Sequence, residues 1–167
     1  MKTIVIFPAL LSLVALLAPI EAVEPAPGLA EARERAGCTW VGLTQEQAQA
    51  LATERGKMSR VSSIDGQGLM MTADHRPGRL NLTLWAGSVI HVDVEGEPSE
   101  QEGVTDVALL GYLGLTEEVA VKQLAAAGLV HRVAMRDGQW FGGDRDYRPN
   151  RLNLYVRNGK VMAIAKH

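Results

Sequence analysis

The 167-residue chain carries 17 Lys and Arg against 19 Asp and Glu, a net charge of −2. That balance gives neither the basic face that nucleic acid requires nor the charge run of an acidic tail. The length suits one ordinary domain or two very small ones, and a single cysteine, Cys38, excludes an internal disulfide framework and makes a poor metal site.

Residues 1–22 open with Lys2, run apolar from Ile4 to Leu17 broken only by Pro8 and Ser12, and end at Ile20-Glu21-Ala22. This reads as a secretory signal peptide, with export to the periplasm or the outside. A membrane anchor is the alternative, but the run is about 14 residues where a span needs about 20. No later stretch is apolar enough to cross a bilayer, and losing Lys2 and Glu21 leaves the charge at −2. Residues 23–37, with two prolines and mixed charges, read as a flexible tail. Cys38 is then a half-buried free thiol or, in an oxidising compartment, the link of a disulfide dimer.

Residues 38–95 form a first module. Thr44 and Gln47 make a capping box, Ala48, Leu51 and Ala52 share one helix face, and Gly56 stops the helix. Met58 to Ile64 reads as a strand ending at Asp65-Gly66. Leu80, Leu82 and Leu84 alternate with Asn81 and Thr83, Ala86-Gly87 turns the chain, and Ile90, Val92 and Val94 return it. Residues 96–109, with Pro98, Ser99 and three glutamates, read as a polar linker.

Residues 110–167 repeat the plan at an offset of 72. Gly42-Leu43-Thr44 recurs as Gly114-Leu115-Thr116, Asp65-Gly66-Gln67 as Asp137-Gly138-Gln139, and Arg79-Leu80-Asn81-Leu82 as Arg151-Leu152-Asn153-Leu154. Aligning 40–95 with 112–167 leaves 20 identities in 56 positions, too many for chance, so the chain contains a duplication. Asn158-Gly159 supplies the second hairpin turn. Each module is α+β: one helix packed on a small mixed sheet with a long exposed loop.

The loop over 66–77 is long for so small a module, and such loops are usually functional. Strand alternation provides a means of holding it. With Leu80 and Leu82 facing the core, Arg79 and Asn81 face the other way and can reach back under the loop. The five donors of a guanidinium suit loop carbonyls or the Asp74 carboxylate. Arg151, Asn153 and Asp146 repeat the arrangement, Arg76 and Arg148 add cations, and Pro77 and Pro149 stiffen the exits.

The strings Thr72-Ala73-Asp74-His75-Arg76-Pro77-Gly78-Arg79-Leu80-Asn81-Leu82 and Asp146-Tyr147-Arg148-Pro149-Asn150-Arg151-Leu152-Asn153-Leu154 resemble the reactive-loop signature of potato inhibitor I. They are still more similar to that of its small bacterial and fungal relatives, the subtilisin and elastase inhibitors. The resemblance covers nearly all of the chain after the signal segment. It implies two tandem inhibitor modules, with protease contact at Thr72, Ala73, Asp74 and His75 and at Asp144, Arg145, Asp146 and Tyr147. Arg76, Arg79, Asn81, Arg148, Arg151 and Asn153 would support the loops. The bond presented would be Ala73–Asp74 in the first module, suiting a subtilisin- or elastase-like serine protease. In the second it would be Arg145–Asp146, suiting a trypsin-like one. The chain departs from the family in three places: Cys38 has no partner, Asp144 stands where threonine is preferred, and Gly142-Gly143 precede it.

Such an inhibitor needs no cofactor, metal or catalytic group. No nucleophile elbow, paired His ligands or glycine-rich phosphate loop is present, and His75, His91, His131 and His167 recur at no common position of the repeat. An exported scaffold that keeps the fold and lacks a rigid loop is the alternative.

Overall fold

The computed structural model describes residues 26–141 and 148–166, in a mixed α+β fold. The predicted signal segment and the positions Asp144, Arg145, Asp146 and Tyr147 lie outside the described residues. Among those described, no helix is long and apolar enough to cross a membrane.

The first copy comprises α2 (Gln45–Glu54), β1 (Ser59–Ile64), β2 (Gln67–Gly68), β3 (Leu80–Trp85) and β4 (Ser88–Val94). The second repeats them as α3 (Glu117–Ala126), β6 (His131–Arg136), β7 (Gln139–Trp140), β8 (Leu152–Arg157) and β9 (Lys160–Lys166). Pairing follows the duplication. Arg60 lies beside Asn81 in the parallel β1–β3 pair, as Arg132 lies beside Asn153 in β6–β8. Asn81 faces Asp93 across the antiparallel β3–β4 pair, as Asn153 faces Ala165 across β8–β9.

Local chemistry sets these elements. Thr44 accepts from Gln47 N at 3.2 Å while Gln47 Oε1 accepts from Thr44 N at 3.0 Å, closing the capping box of α2. Asp65 and Gly66 both take positive φ, and the Asp65 carboxylate accepts from Ala86 N at 2.8 Å, tying the turn to the neighbouring hairpin. Asp137 and Asn158 repeat that contact at 2.7 Å. The long loop has a topological cause. Parallel β1 and β3 cannot be joined by a tight turn, so the chain must travel back along the strand before β3 begins.

Among the described residues, and with Glu102–Val104 as β5, the two copies share one nine-stranded sheet, ordered β2-β1-β3-β4-β5-β9-β8-β6-β7. The seam is β5 (Glu102–Val104), antiparallel to β4 and parallel to β9. The expected polar linker over 96–109 is thereby corrected. It holds β5 and a 3₁₀ turn over Pro98–Glu100, and a second such turn, Val107–Tyr112, begins within it. The Glu102 carboxylate is buried and accepts from the amides of Thr39 and Trp40 at 2.8 and 3.1 Å. A Cβ on Gly103 would stand 2.0 Å from the Ile90 carbonyl oxygen, so only glycine fits there.

The expected flexible tail over 23–37 is corrected as well. Residues Leu29–Ala36 form α1, whose Leu29, Ala32 and Ala36 are buried. They join Val41 and Ile90 of the first copy and Leu124, Leu154 and Ile164 of the second in one apolar cluster. Arg35 Nε donates to the Leu113 carbonyl at 2.7 Å, and Gly114 lets the α1 backbone pass close. Cys38 lies in the same cluster, 6% exposed, and burial pushes its thiol up to about 12. A second cluster packs Leu80, Leu82, Val92 and Val94 under Ala48 and Ala52 of α2.

Candidate functional site

The expected loop over 66–77 begins with the short strand β2, leaves the sheet after it, and is exposed along its length except at Asp74, which is half-buried. Leu80 and Leu82 are fully buried under α2. The pleat therefore sends the neighbouring Arg79 and Asn81 to the opposite face, towards the loop.

Arg79 is 7% exposed. Its Nη2 donates to the Asp74 carbonyl at 2.6 Å and its Nη1 to the Asp74 carboxylate at 3.1 Å. Its Nε and Nη2 also engage the two oxygens of Glu95 at 2.9 and 3.2 Å. Arg60, projecting from β1, holds a second point. Its Nη1 donates to the Thr72 carbonyl at 3.3 Å, its Nη2 to Glu95 at 2.7 Å and its Nε to Asn81 Oδ1 at 2.6 Å. The two carbonyls that flank Ala73 are therefore each tied to a guanidinium, and both guanidiniums are fixed by one buried carboxylate.

The Asp74 side chain completes the frame. It accepts from the Thr72 hydroxyl and from Arg76 Nε, the latter at 2.7 Å. Arg76 N in turn donates to Glu95 at 2.7 Å, anchoring the loop exit. These are charge-assisted bonds, roughly twice as strong as neutral ones. The Arg76 amide and the Arg79 side chain hold the Glu95 carboxyl down to about 2. Bonds from Thr72, Arg79 and Arg76 hold Asp74 well below the usual carboxylate range. Both stay ionised at any ordinary pH, and Arg79 is pushed up by its bonds to Glu95 and Asp74.

Thr72, Ala73 and His75 project into solvent around this frame, and Asn81 additionally donates to Asp93 at 3.2 Å. The structure thus brings Thr72, Asp74, Arg76, Arg79 and Asn81 into one network, with Ala73 at its exposed apex.

Two members carry no sequence signal that ties them to the loop. Arg60 recurs as Arg132, but its place 12 residues before Thr72 gives no sign of a contact with the loop. Glu95 gave no repeat signal, because the duplication equates it with His167.

The second copy keeps part of this frame. Arg132 Nε donates to Asn153 Oδ1 at 2.6 Å, as Arg60 does to Asn81. Arg151 N bonds the Arg148 carbonyl at 3.1 Å, as Arg79 N bonds that of Arg76 at 3.0 Å. The carboxylates differ. Ala165 replaces Asp93 and His167 replaces Glu95. Asn153, fully buried, leaves its Nδ2 without a hydrogen-bond partner among the described residues. Loss of the Asp93 equivalent explains that orphan, because Asn81 Nδ2 uses Asp93.

Among the described residues, no three His, Cys, Asp or Glu side chains are grouped to hold a metal ion. Comparison of the chain with family models, with characterised proteins and with solved structures returns no match.

Proposed function

We propose that the protein is an exported inhibitor of serine proteases, built from two tandem modules of the potato-inhibitor-I type and acting through the loop over 66–77. One observation carries this reading: both carbonyls beside Ala73 are fixed from beneath by Arg60 and Arg79, which share the Glu95 carboxylate. An exposed peptide held in one shape is what a protease cleft binds at least cost. Fixing a backbone residue costs about 1–2 kcal/mol, so a flexible six-residue contact forfeits roughly 6–12 kcal/mol. Nanomolar affinity is worth only about 12 kcal/mol, so a loop ordered beforehand keeps what a flexible peptide loses.

The mechanism needs no catalytic residue. Ala73 enters the primary pocket of a subtilisin- or elastase-like protease, and the enzyme's serine faces the Ala73–Asp74 bond. Should that bond be cut, Arg60 holds Thr72 on one side and Arg79 holds Asp74 on the other. The new amine stays beside the acyl carbon, and religation competes with hydrolysis.

In the second copy, Arg145 would direct the loop to a trypsin-like protease. A binding scaffold without inhibition is the second reading for that copy, favoured by the orphaned Asn153 Nδ2 and by Gly142-Gly143.

Titration against subtilisin, elastase and trypsin tests both. Ala73→Asp should abolish subtilisin or elastase inhibition, and Arg145→Ala should abolish any trypsin inhibition. Trypsin inhibition that survives Arg145→Ala refutes the second-copy site. Failure to inhibit all three supports the scaffold.

A further inference from the structure

A cavity of about 430 Å³ opens where α2 hands over to β1 and the loop returns to β3. All four charged residues that line it are cations: Lys57, Arg60, Arg76 and Arg79. The Asp74 and Glu95 carboxylates bond these guanidiniums but form no part of the wall. Three guanidiniums share those two carboxylates, so the cluster keeps one uncompensated positive charge. Lys57 pairs with Glu100 at 3.2 Å, but the two side chains are 31 and 49% exposed, and so open a pair holds its members weakly.

The donors are graded from deep to open. The side chains of Arg79, Arg60 and Arg76 are 8, 23 and 55% exposed. Arg79 has its fork filled by Asp74 and Glu95. Arg76 does not. Its Nε goes to Asp74, its Nη1 meets only the Met58 sulfur at 3.6 Å, a weak acceptor, and its Nη2 makes no bond among the described residues. Ser59 and Gln49 add uncharged donors to the wall. The duplication shows that the fold does not require this polarity. Arg60, Arg76 and Arg79 recur as Arg132, Arg148 and Arg151, but Gln49, Thr53 and Lys57 become Val121, Ala125 and Leu129. The arginines are common to both copies, and the polar residues beside them belong to the first alone.

We propose that this cavity binds a small oxyanion of the phosphate class carrying two negative charges. Arg76 and Lys57 receive it at the opening, and Arg60 and Arg79 set the positive field behind them. With Lys57 turned from Glu100 to the ligand, the cavity offers two positive charges to match. A planar guanidinium fork suits two oxygens of such a group, and a cleft walled by one sign of charge concentrates its counter-ion. The volume lies at the low end for small-molecule sites, so it suits the ion or a small phosphate monoester. The site is separate from the protease reading and stands or falls without it.

The test is calorimetric titration of the protein with orthophosphate near pH 8, with sodium chloride holding the ionic strength constant. A few charge-assisted bonds in an open cavity predict a dissociation constant of about 0.1–1 mM. Losing one of them should weaken binding about tenfold or more in Lys57→Leu and in Arg76→Gln. Lys122→Gln, which removes a cation from α3 of the second copy, should leave binding within about twofold of the parent. Leucine already stands at the position matching Lys57, and Arg76 is exposed, so both variants should fold, which thermal melts check. Glycerol phosphate that binds as tightly as orthophosphate assigns the site to phosphate carried on a small molecule, and weaker binding assigns it to the free ion. No binding up to about 20 mM orthophosphate overturns the proposal. So do Lys57→Leu and Arg76→Gln proteins that bind as tightly as the parent. Equal weakening by Lys122→Gln also overturns it, since the ion would then respond to diffuse surface charge.

Discussion

Replacing Arg79 with alanine removes the bonds to the Asp74 carbonyl and carboxylate and half of the grip on Glu95. The rest of the fold should persist, because Leu80 and Leu82 keep their places under α2. What changes is the freedom of the peptide at the apex. With Arg60 still holding the Thr72 carbonyl and Arg76 still holding the Asp74 carboxylate, what is released is the backbone of Ala73 and Asp74, through the lost bond to the Asp74 carbonyl. Two backbone residues regain about 2–4 kcal/mol of conformational freedom, which binding must then remove again. At about 1.4 kcal/mol per decade, the inhibition constant should rise about 30- to 700-fold. Arg79→Lys should fall between, because an ammonium cannot bridge Asp74 and Glu95 with a planar fork. The assay is tight-binding titration of subtilisin, with mass spectrometry of the inhibitor at each time point. Hydrolysis at Ala73–Asp74 should accelerate alongside the loss of affinity. An Arg79→Ala protein that inhibits as tightly as the parent and is cut no faster refutes the reasoning, since the loop would then owe its shape to something else.

Three further outcomes follow from the structure. The folded Glu95 carboxyl sits at about 2, below its ordinary 4.5, so its stabilisation is full above pH 4.5, declines progressively below that and is gone once pH has fallen through about 2. Loop protection from an acid-active protease should therefore survive in part at pH 3, and Glu95→Gln should remove much of it even at pH 7; a loop that loosens fully between pH 5 and 4 contradicts this. Gly103→Ala would drive a Cβ to within 2.0 Å of the Ile90 carbonyl at a φ of +89°, so urea unfolding should show a loss of about 3 kcal/mol or more, and a change under about 0.5 kcal/mol would be inconsistent with the seam described. Cys38, buried and pushed up to about 12, should resist a thiol reagent at pH 8 until the protein unfolds, and the native protein should form no disulfide dimer; rapid labelling would show that the α1 cluster opens readily.

Legibility in the sequence followed the range of the interactions. The helix start at Thr44, the Asp65-Gly66 turn and the Asn158-Gly159 hairpin rest on contacts a few residues apart, and each stands where local chemistry puts it. The outward direction of Arg79 and Asn81 followed from the pleat, with Leu80 and Leu82 as the reference. Helix α1 is poorly legible in the sequence because its buried stripe is Leu29, Ala32 and Ala36. Small alanines beside charged residues and prolines give little periodic signal, and what makes them core is a surface built by both copies. Strand β5 is three residues long and rich in the Glu and Gly that composition reads as linker. Its Gly103 is needed for close packing and not for freedom, a distinction only the Ile90 backbone reveals. Glu95 is silent in the sequence for a similar reason: the two arginines it joins lie 16 and 35 residues away, and no spacing rule connects them.

The central claim is that the Ala73–Asp74 peptide is offered in one fixed shape and kept there after cutting. Incubating the protein with a small molar fraction of subtilisin for hours and weighing the products tests it most directly. The account predicts a single slow cut between Ala73 and Asp74 that levels off with intact protein still present, while the enzyme stays inhibited. Fast, complete cutting at several bonds within 66–77, with the enzyme left fully active, would contradict it.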